Sequence, residues 1–372
     1  MNRLARLHDA GVSIWLDTLS RDLLDSGAFA ALIADCAVTG ATSNPTIFAK
    51  AITGSDAYDD QIRAAVASDM RDTQELFFAL ALDDVGHAAE LLRPTYGASD
   101  GRDGFVSFEC TPDLADDTAG TIEQALMLWA RLARPNVMIK VPATEAGVGA
   151  IEDLTAAGVN VNVTPLFSVE RYEQVIDAYT AGLERRVSHG QPVDAIASVA
   201  SFFVSRVDTK ADAQLPSDSP LRGRVAIANA HRAYGRYRER FADDRWRALA
   251  ALGARPQRPL WASTGTKDPA YSDVLYVQEL IAPGVVNTMP EATLRAFADH
   301  GDASRVLGES TAAAEETLRD AARAGVDLAA ITAQLEREGV QAFCASYEQL
   351  LQRIREKTED IAFANKRPDA VR

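Results

Sequence analysis

The chain has 372 residues, with 38 lysines and arginines against 53 aspartates and glutamates, and therefore a formal net charge of −15. Hydrophobic residues make up 47% and charged residues 24%, a composition that is typical of globular proteins and excludes a largely disordered chain. Because so much negative charge repels phosphate backbones and anionic lipids, we expect neither nucleic acid nor a membrane as partner. An anionic ligand would need positive charge gathered in one place.

The cysteines and the start of the chain indicate the compartment. Cys36, Cys110 and Cys344 lie far apart, with no CxxC pair and no neighbouring histidine cluster, which is typical of reduced thiols and not of a zinc site. Residues 1–19 contain no apolar stretch of signal-peptide length, and no apolar run approaches the length of a membrane span. We therefore expect a cytoplasmic protein without a metal site.

Short β-branched segments alternate with longer amphipathic ones, which predicts βαβ units and a parallel sheet. Eight strands at this length favour a closed (β/α)8 TIM barrel over an open doubly wound sheet. The absence of GxGxxG after the first strand and of GxxxxGKS/T anywhere also weakens an open nucleotide-binding sheet. The predicted strands are Ser13–Leu19, Ala37–Asn44, Val106–Cys110, Asn136–Pro142, Val159–Pro165, Ala195–Phe203, Pro259–Thr264 and Gly284–Pro290.

Three regions exceed the length of one crossover helix. Residues 45–105 carry a predicted helical pair, residues 208–257 a helical insertion, and residues 291–372 a helical extension after the last strand. No Gly/Ser-rich or Pro-rich linker separates them from the strands, so we expect one barrel domain over residues 1–372. The apolar stripe of the extension fits either a cover for the barrel or an interface between copies, which leaves a homo-oligomer open.

Side chains alternate between the two faces of a strand, and here the inward positions near the strand ends are polar. Lys140, Glu109 and Asp17 lie inward, opposite the apolar residues of their strands, and other polar residues follow the same pattern. Those are Asn44, Asn160, Asn162, Thr164 and Ser201. Active sites of (β/α)8 barrels lie at this end, so the cluster is interpreted as catalytic.

Lys140 is the most informative member, because it is the only one of six lysines within an apolar strand. Burial disfavours the ammonium form, and a neutral amine attacks carbonyl carbon to give a Schiff base. The alternative is a structural lysine that reaches solvent or pairs with Glu109 or Asp17. Asn44, which precedes a proline, has the alternative of simple turn chemistry.

Seven segments in chain order resemble the transaldolase family. They are WLDTLS, GATSNPTIF, VSFE, IKVPAT, VNVTPLFS, ASFFVSRVD and WASTGTKDPAYSD, across residues 13–290, and the helical tail is similar to that of longer bacterial members. The resemblance implies a circularly permuted class I aldolase barrel in the pentose phosphate pathway. It implies transfer of a dihydroxyacetone unit from sedoheptulose 7-phosphate to glyceraldehyde 3-phosphate through a lysine Schiff base, with no metal or organic cofactor.

The resemblance also implies roles for individual residues. Lys140 corresponds to the Schiff-base lysine, Asp17 to the acid/base at the C4 hydroxyl, and Glu109 with Thr164 to the pair that holds a catalytic water. The implied substrate-binding residues are Asn44, Asn162, Ser201, Phe203, Arg206, Ser263 and Lys267. Lys267 stands where the best-known branch has a second phosphate-binding arginine, and a lysine keeps the charge without the bidentate fork.

Two other functions remain as alternatives. A fructose 6-phosphate aldolase would release free dihydroxyacetone, but such relatives resemble this chain with Tyr in place of Phe203 and without Glu109. A non-catalytic sugar-phosphate-binding barrel would lack at least one of Lys140, Asp17 and Glu109, and all three are present.

Overall fold

The computed structural model describes residues 2–70, 72–308 and 310–366. Eight parallel strands form a closed barrel in chain order, and pairing of the first strand with the last closes it. The strands are β1 Val12–Leu16, β2 Val38–Thr42, β3 Phe105–Glu109, β4 Val137–Pro142, β5 Val161–Leu166, β6 Ser198–Phe203, β7 Arg258–Ala262 and β8 Val285–Met289. The predicted (β/α)8 barrel is thus confirmed, with strand ends that differ from the predicted ones by at most three residues.

Helices surround this barrel, and polar side chains at their first positions satisfy free backbone N–H groups. Asn44, Asp72, Asp117, Thr144 and Ser168 each accept a hydrogen bond from the first turn of a helix. The helices are α1 Arg3–Asp9, α2 Arg21–Asp25, α3 Ala28–Cys36, α4 Pro45–Gly54, α5 Asp59–Ala67, α6 Thr73–Ala98, α7 Thr118–Leu132, α8 Glu145–Ala157, α9 Val169–Ser188, α10 Ser205–Asp212, α11 Val225–Arg240, α12 Asp244–Ala250, α13 Leu275–Glu279, α14 Glu291–His300, α15 Ala312–Arg323 and α16 Leu328–Lys366, with a 3₁₀ turn at Pro112–Leu114.

The insertions differ in detail from the prediction. Residues 45–105 contain three helices, α4 to α6, where we predicted a pair, because the chain breaks both at Ser55 and at the positive φ of Asp69. The helical insertion over 208–257 begins slightly earlier, at Ser205. The extension predicted for 291–372 contains α14 to α16, and its residues 367–372 lie outside the described part of the chain.

The apolar core has two parts that follow from strand alternation. Outward residues such as Val161 and Val163 pack under the helices, whereas Trp15, Phe105, Met138 and Val199 fill the amino-terminal half of the barrel interior. Gly40 makes room for the Trp15 indole, since a Cβ at Gly40 would lie 2.4 Å from Trp15 Nε1. These side chains form an apolar layer below the polar residues at the carboxyl end, and a cavity of about 730 Å³ opens on the amino-terminal side of that layer.

Candidate active site

Lys140 lies inside the barrel on β4, and the parallel register places Glu109 of β3 and Asn162 of β5 directly beside it. Its ammonium nitrogen is 3.1 Å from Glu109 Oε2 and also donates to the carbonyl oxygen of Ser43. The lysine is only 8% exposed, so it does not reach solvent as one alternative required. Sequence reasoning predicted the carboxylate partner but not the carbonyl, because a backbone acceptor leaves no signal in the residue types.

Burial controls the protonation of Glu109. Removal of this carboxyl group from water raises its pKa to about 7, although the Lys140 ammonium group works in the opposite direction. The negative charge of Asp17 adds a smaller upward contribution. A carboxyl group with this pKa both accepts and donates protons readily at neutral pH, which is what general acid–base chemistry beside an amine requires.

Asp17 follows β1 at the same end of the barrel. Its Oδ1 accepts a hydrogen bond of 3.0 Å from the Thr42 hydroxyl, which also lies 2.9 Å from the Thr288 hydroxyl. Partial desolvation lowers the pKa of the Arg206 guanidinium, and the Asp17 carboxylate opposes that shift. Asp17 thus faces both the strand ends and the cationic side of the mouth.

A short hydrogen-bonded chain crosses the barrel next to the lysine. Asn162 donates to the Ser107 hydroxyl at 2.9 Å and accepts from the Ser201 hydroxyl at 2.7 Å. These bonds fix the orientation of the Asn162 amide in the interior. Asn160, which shares its face, lies at the other end of β5 and donates to the carbonyls of Pro135 and Val137 instead. Our placement of Asn160 near the carboxyl ends of the strands is therefore wrong.

Asn44 has the local role that its Asn-Pro sequence suggested. Its side-chain oxygen accepts a 3.0 Å hydrogen bond from Ile47 N and so caps α4. The cap holds the side chain at the rim, just after the strand that also supplies the Ser43 carbonyl to Lys140.

The cationic residues lie to one side of the mouth. Arg206, in the first turn of α10, places its guanidinium carbon 5.3 Å from the centre of the Phe203 ring. Ser263 follows β7, adopts a left-handed φ of 56°, and its hydroxyl lies 2.9 Å from that of Ser205. Lys267 is exposed in the loop that connects β7 to α13.

The long helix α16 forms one wall of the site, and sequence reasoning did not assign it that place. A cavity of about 40 Å³ has Lys140, Glu109 and Thr164 on the barrel side, and Val340 and Phe343 on the α16 side. Gly339 allows the close approach, because a Cβ there would lie 3.3 Å from Pro165 Cγ. The apolar stripe of the tail was the available signal, and it fitted a cover equally well as an interface.

Ion pairs fix α16 across the mouth. Glu338 pairs with Lys210 of α10 at 3.0 Å, and Lys357 pairs with Asp59 of α5 at 2.7 Å. Lys357 also donates to two backbone carbonyls at the end of α4. The wall is thus fastened on both sides of the small cavity.

The chain is similar to known proteins over nearly its whole length. The model of the family described as "Transaldolase/Fructose-6-phosphate aldolase" matches residues 14–354. The chain belongs to this family. A curated transaldolase from Saccharopolyspora erythraea is 52% identical over 363 residues, which are 96% of this chain and 98% of the relative. Transaldolases from Acidothermus cellulolyticus and Thermobifida fusca are 52% and 50% identical, over 93% and 94% of this chain and 94% and 97% of the respective relative.

The family predicted from the seven segments is therefore confirmed. Within residues 2–70, 72–308 and 310–366, no three His, Cys, Asp or Glu side chains are grouped as metal ligands. Among the same residues, no helix has both the length and the apolar character that crossing a membrane requires.

Proposed function

We propose that this transaldolase-family chain moves a dihydroxyacetone unit from sedoheptulose 7-phosphate to glyceraldehyde 3-phosphate, giving erythrose 4-phosphate and fructose 6-phosphate. The family and the shared name of the curated relatives confirm the transaldolase activity predicted from the sequence. The roles of individual residues are our inference from the geometry. The observation that carries them is a buried lysine held against a carboxyl group at the carboxyl end of a closed barrel.

The reaction starts at Lys140. Glu109 first takes a proton from the Lys140 ammonium group, and the neutral amine then attacks C2 of the ketose. Loss of water gives a protonated imine that withdraws electrons from the neighbouring carbon atoms. Glu109 gives and takes the protons of this dehydration, with Thr164 holding the water on the other side of the same small cavity. A pKa near neutrality suits Glu109 to both directions of that transfer.

Asp17 then acts on the bond to be broken. It removes the C4 hydroxyl proton, and the electrons of the C3–C4 bond move into the imine. The former C4 becomes the aldehyde carbon of the aldose that leaves. The remaining enamine stays on Lys140 until the second aldose binds. The steps then run in reverse, and Asp17 returns its proton to the new hydroxyl group.

The remaining polar residues bind the substrate. We assign the hydroxyl groups of the dihydroxyacetone unit to Asn44, Asn162 and Ser201, two of which are already oriented by their mutual hydrogen bond. Arg206 and Lys267, with Ser263, are assigned to the phosphate group, and Phe203 supports the Arg206 guanidinium from below. They supply the local positive charge that an acidic protein needs for an anionic substrate.

Borohydride reduction in the presence of fructose 6-phosphate tests the covalent step. We expect one reduced adduct of dihydroxyacetone size, located on Lys140 by peptide mass mapping, and no adduct in Lys140→Met. An adduct on Lys267 or another exposed lysine, or none, would contradict the assignment.

Acceptor dependence separates transfer from simple cleavage. The family description also includes fructose 6-phosphate aldolase, whose reaction releases dihydroxyacetone without an acceptor. We expect glyceraldehyde 3-phosphate to form beyond one equivalent of enzyme only when erythrose 4-phosphate is added. We further propose a single barrel domain and a cytoplasmic location, supported by the closed sheet and by three free thiols.

A further inference from the structure

Two buried carboxylates on α10 have no role in the chemistry described above. Asp208 is 1% exposed and Asp212 is 6% exposed, and they lie one helical turn apart on the same face. Two carboxylates so close together are costly to bury unless donors surround them. Their partners therefore indicate what the two residues hold in place.

Each carboxylate binds one backbone N–H and one tyrosine hydroxyl. Asp212 accepts from Gly223 N at 3.0 Å and from the Tyr271 hydroxyl at 2.7 Å. Asp208 accepts from Ala226 N at 2.7 Å and from the Tyr276 hydroxyl at 3.0 Å. Both backbone donors belong to the start of α11 and the turn before it, whereas both tyrosines follow β7.

Tyr271 belongs to the β7–α13 loop, residues 263–274, which also carries Ser263 and Lys267. The loop is fastened at its base, where Thr264 donates to Asn287 Oδ1 at 3.0 Å and to the carbonyl oxygen of Thr288 at 3.1 Å. At its far end the loop is held by the hydrogen bond from Tyr271 to Asp212. Lys267 lies between the two attachments.

Gly223 adds a steric fit to the hydrogen bond. It has a positive φ of 68°, and a Cβ at this position would lie 2.9 Å from Tyr271 Cζ. The Tyr271 ring therefore packs directly against the backbone of Gly223. Arg222, next to this glycine, approaches Asp268 of the loop at 3.5 Å.

The same short helix thus carries Arg206 at its start and the anchor of the Lys267 loop at its end. We propose that Tyr271 and Asp212 are positioning residues that set Lys267 relative to Arg206, and that they thereby determine the preference for phosphorylated substrates. This inference rests on the proposed function, because it takes Arg206 and Lys267 as the phosphate-binding pair. A lysine lacks the planar fork of arginine, so its placement depends on the loop that carries it.

Tyr271→Phe tests the inference, since it removes one hydroxyl group and keeps the ring against Gly223. With fructose 6-phosphate saturating, we expect KM for erythrose 4-phosphate to rise by up to about tenfold, because the substrate must then hold a loop that the bond to Asp212 no longer positions. The kcat value, and kcat/KM for unphosphorylated erythrose, should stay within about twofold, since the reacting carbons are not touched. Equal losses with both acceptors would overturn the proposal.

A double-mutant cycle shows whether the effect acts through Lys267. In a Lys267→Ala background, Tyr271→Phe should change KM for erythrose 4-phosphate by less than about twofold. An undiminished tenfold change in that background would contradict the positioning role.

Tyr179→Phe is the matched control. It also removes a buried tyrosine hydroxyl, one that donates to the carbonyl oxygen of Arg255 at 2.8 Å, far from the loop. We expect a comparable loss of thermal stability and no change in the KM ratio of the two acceptors. If Tyr271→Phe is too unstable to assay, Gly223→Ala displaces the same ring and should give the same ratio.

Borohydride trapping separates this inference from the proposed function. Trapping on Lys140 in wild type and in Tyr271→Phe, together with an unchanged acceptor ratio, would overturn only the positioning role. Failure of trapping in wild type would overturn the proposed function itself.

Discussion

Replacement of Glu109 by glutamine examines the acid–base step most directly. Glutamine keeps the size and the hydrogen-bonding shape of the side chain but holds no proton that it can transfer. General acid–base residues contribute rate factors of about 10² to 10⁴, and we expect a loss of kcat in this range for Glu109→Gln. Trapping of the adduct on Lys140 should slow in parallel, because formation of the imine needs the same protons.

The pH profile gives the more specific expectation. Burial raises the pKa of Glu109 to about 7, so below this pH the carboxylate takes up a proton and can no longer accept one from the reacting water. In wild type, kcat/KM should therefore fall about tenfold for each pH unit below that value. The glutamine variant should be slow at every pH and should lack a decline centred near pH 7.

The assay follows release of glyceraldehyde 3-phosphate from fructose 6-phosphate and erythrose 4-phosphate between pH 5.5 and 8.5. Glu145→Gln removes the same charge from an exposed position on α8 and should keep the wild-type profile. Burial also raises the pKa of Asp208 to about 7, which makes this residue the competing source of an acid limb. An acid limb that persists in Glu109→Gln and disappears in Asp208→Asn would refute our reasoning.

Three further predictions concern the stability and the wall of the site. Because burial raises the pKa of Asp208, its contribution to stability is present at low pH and lost as the pH rises through about 7. Between pH 5 and pH 8, denaturant unfolding should therefore show the stability of Asp208→Asn rising relative to wild type by up to about 3 kcal/mol, and a constant difference would contradict this. Phe343→Ala opens the α16 wall beside Lys140, so water should protonate the enamine and hydrolyse the resulting imine to dihydroxyacetone. We expect the ratio of dihydroxyacetone released without acceptor to dihydroxyacetone transferred to rise at least about fivefold in Phe343→Ala. The exposed control Gln341→Ala should leave this ratio at the wild-type value. A wild-type ratio in Phe343→Ala would contradict the role of α16 as a wall. Gly40→Ala places a methyl group 2.4 Å from the Trp15 indole and should destabilise the barrel by about 1–3 kcal/mol or more in thermal unfolding, whereas full stability would disprove the tight interior.

Much of the fold could be predicted because strand and helix periodicities are local properties of the sequence. All eight predicted strands exist, and their errors lie at the ends, where a residue leaves the sheet for reasons of capping or loop geometry. The third helix between β2 and β3 was missed, since the break near Asp69 is a backbone feature of a single polar residue. Whether the chain forms one domain stays a prediction.

The site could be predicted only where residue types and their alternation along a strand indicate it. Strand alternation placed Lys140, Glu109 and Asn162 in one interior, and the structure brings them together. Alternation does not say where along the barrel axis a residue lies, and so Asn160 was assigned to the wrong end. Nor does it reveal contacts between distant segments, such as Tyr271 with Asp212, which depend on how long loops fold back.

The position of α16 has a consequence for synthesis of the protein. A ribosome completes β8 at Met289, and from that point the eight strands needed to close the barrel exist. Val340 and Phe343, which line the cavity beside Lys140, are added some fifty residues later. Lys357, which pairs with Asp59, is added later still. A nascent chain therefore contains all eight strands and Lys140 before it contains the residues that complete the pocket. Reactivity of Lys140 toward small carbonyl compounds in stalled chains would report when the pocket becomes complete.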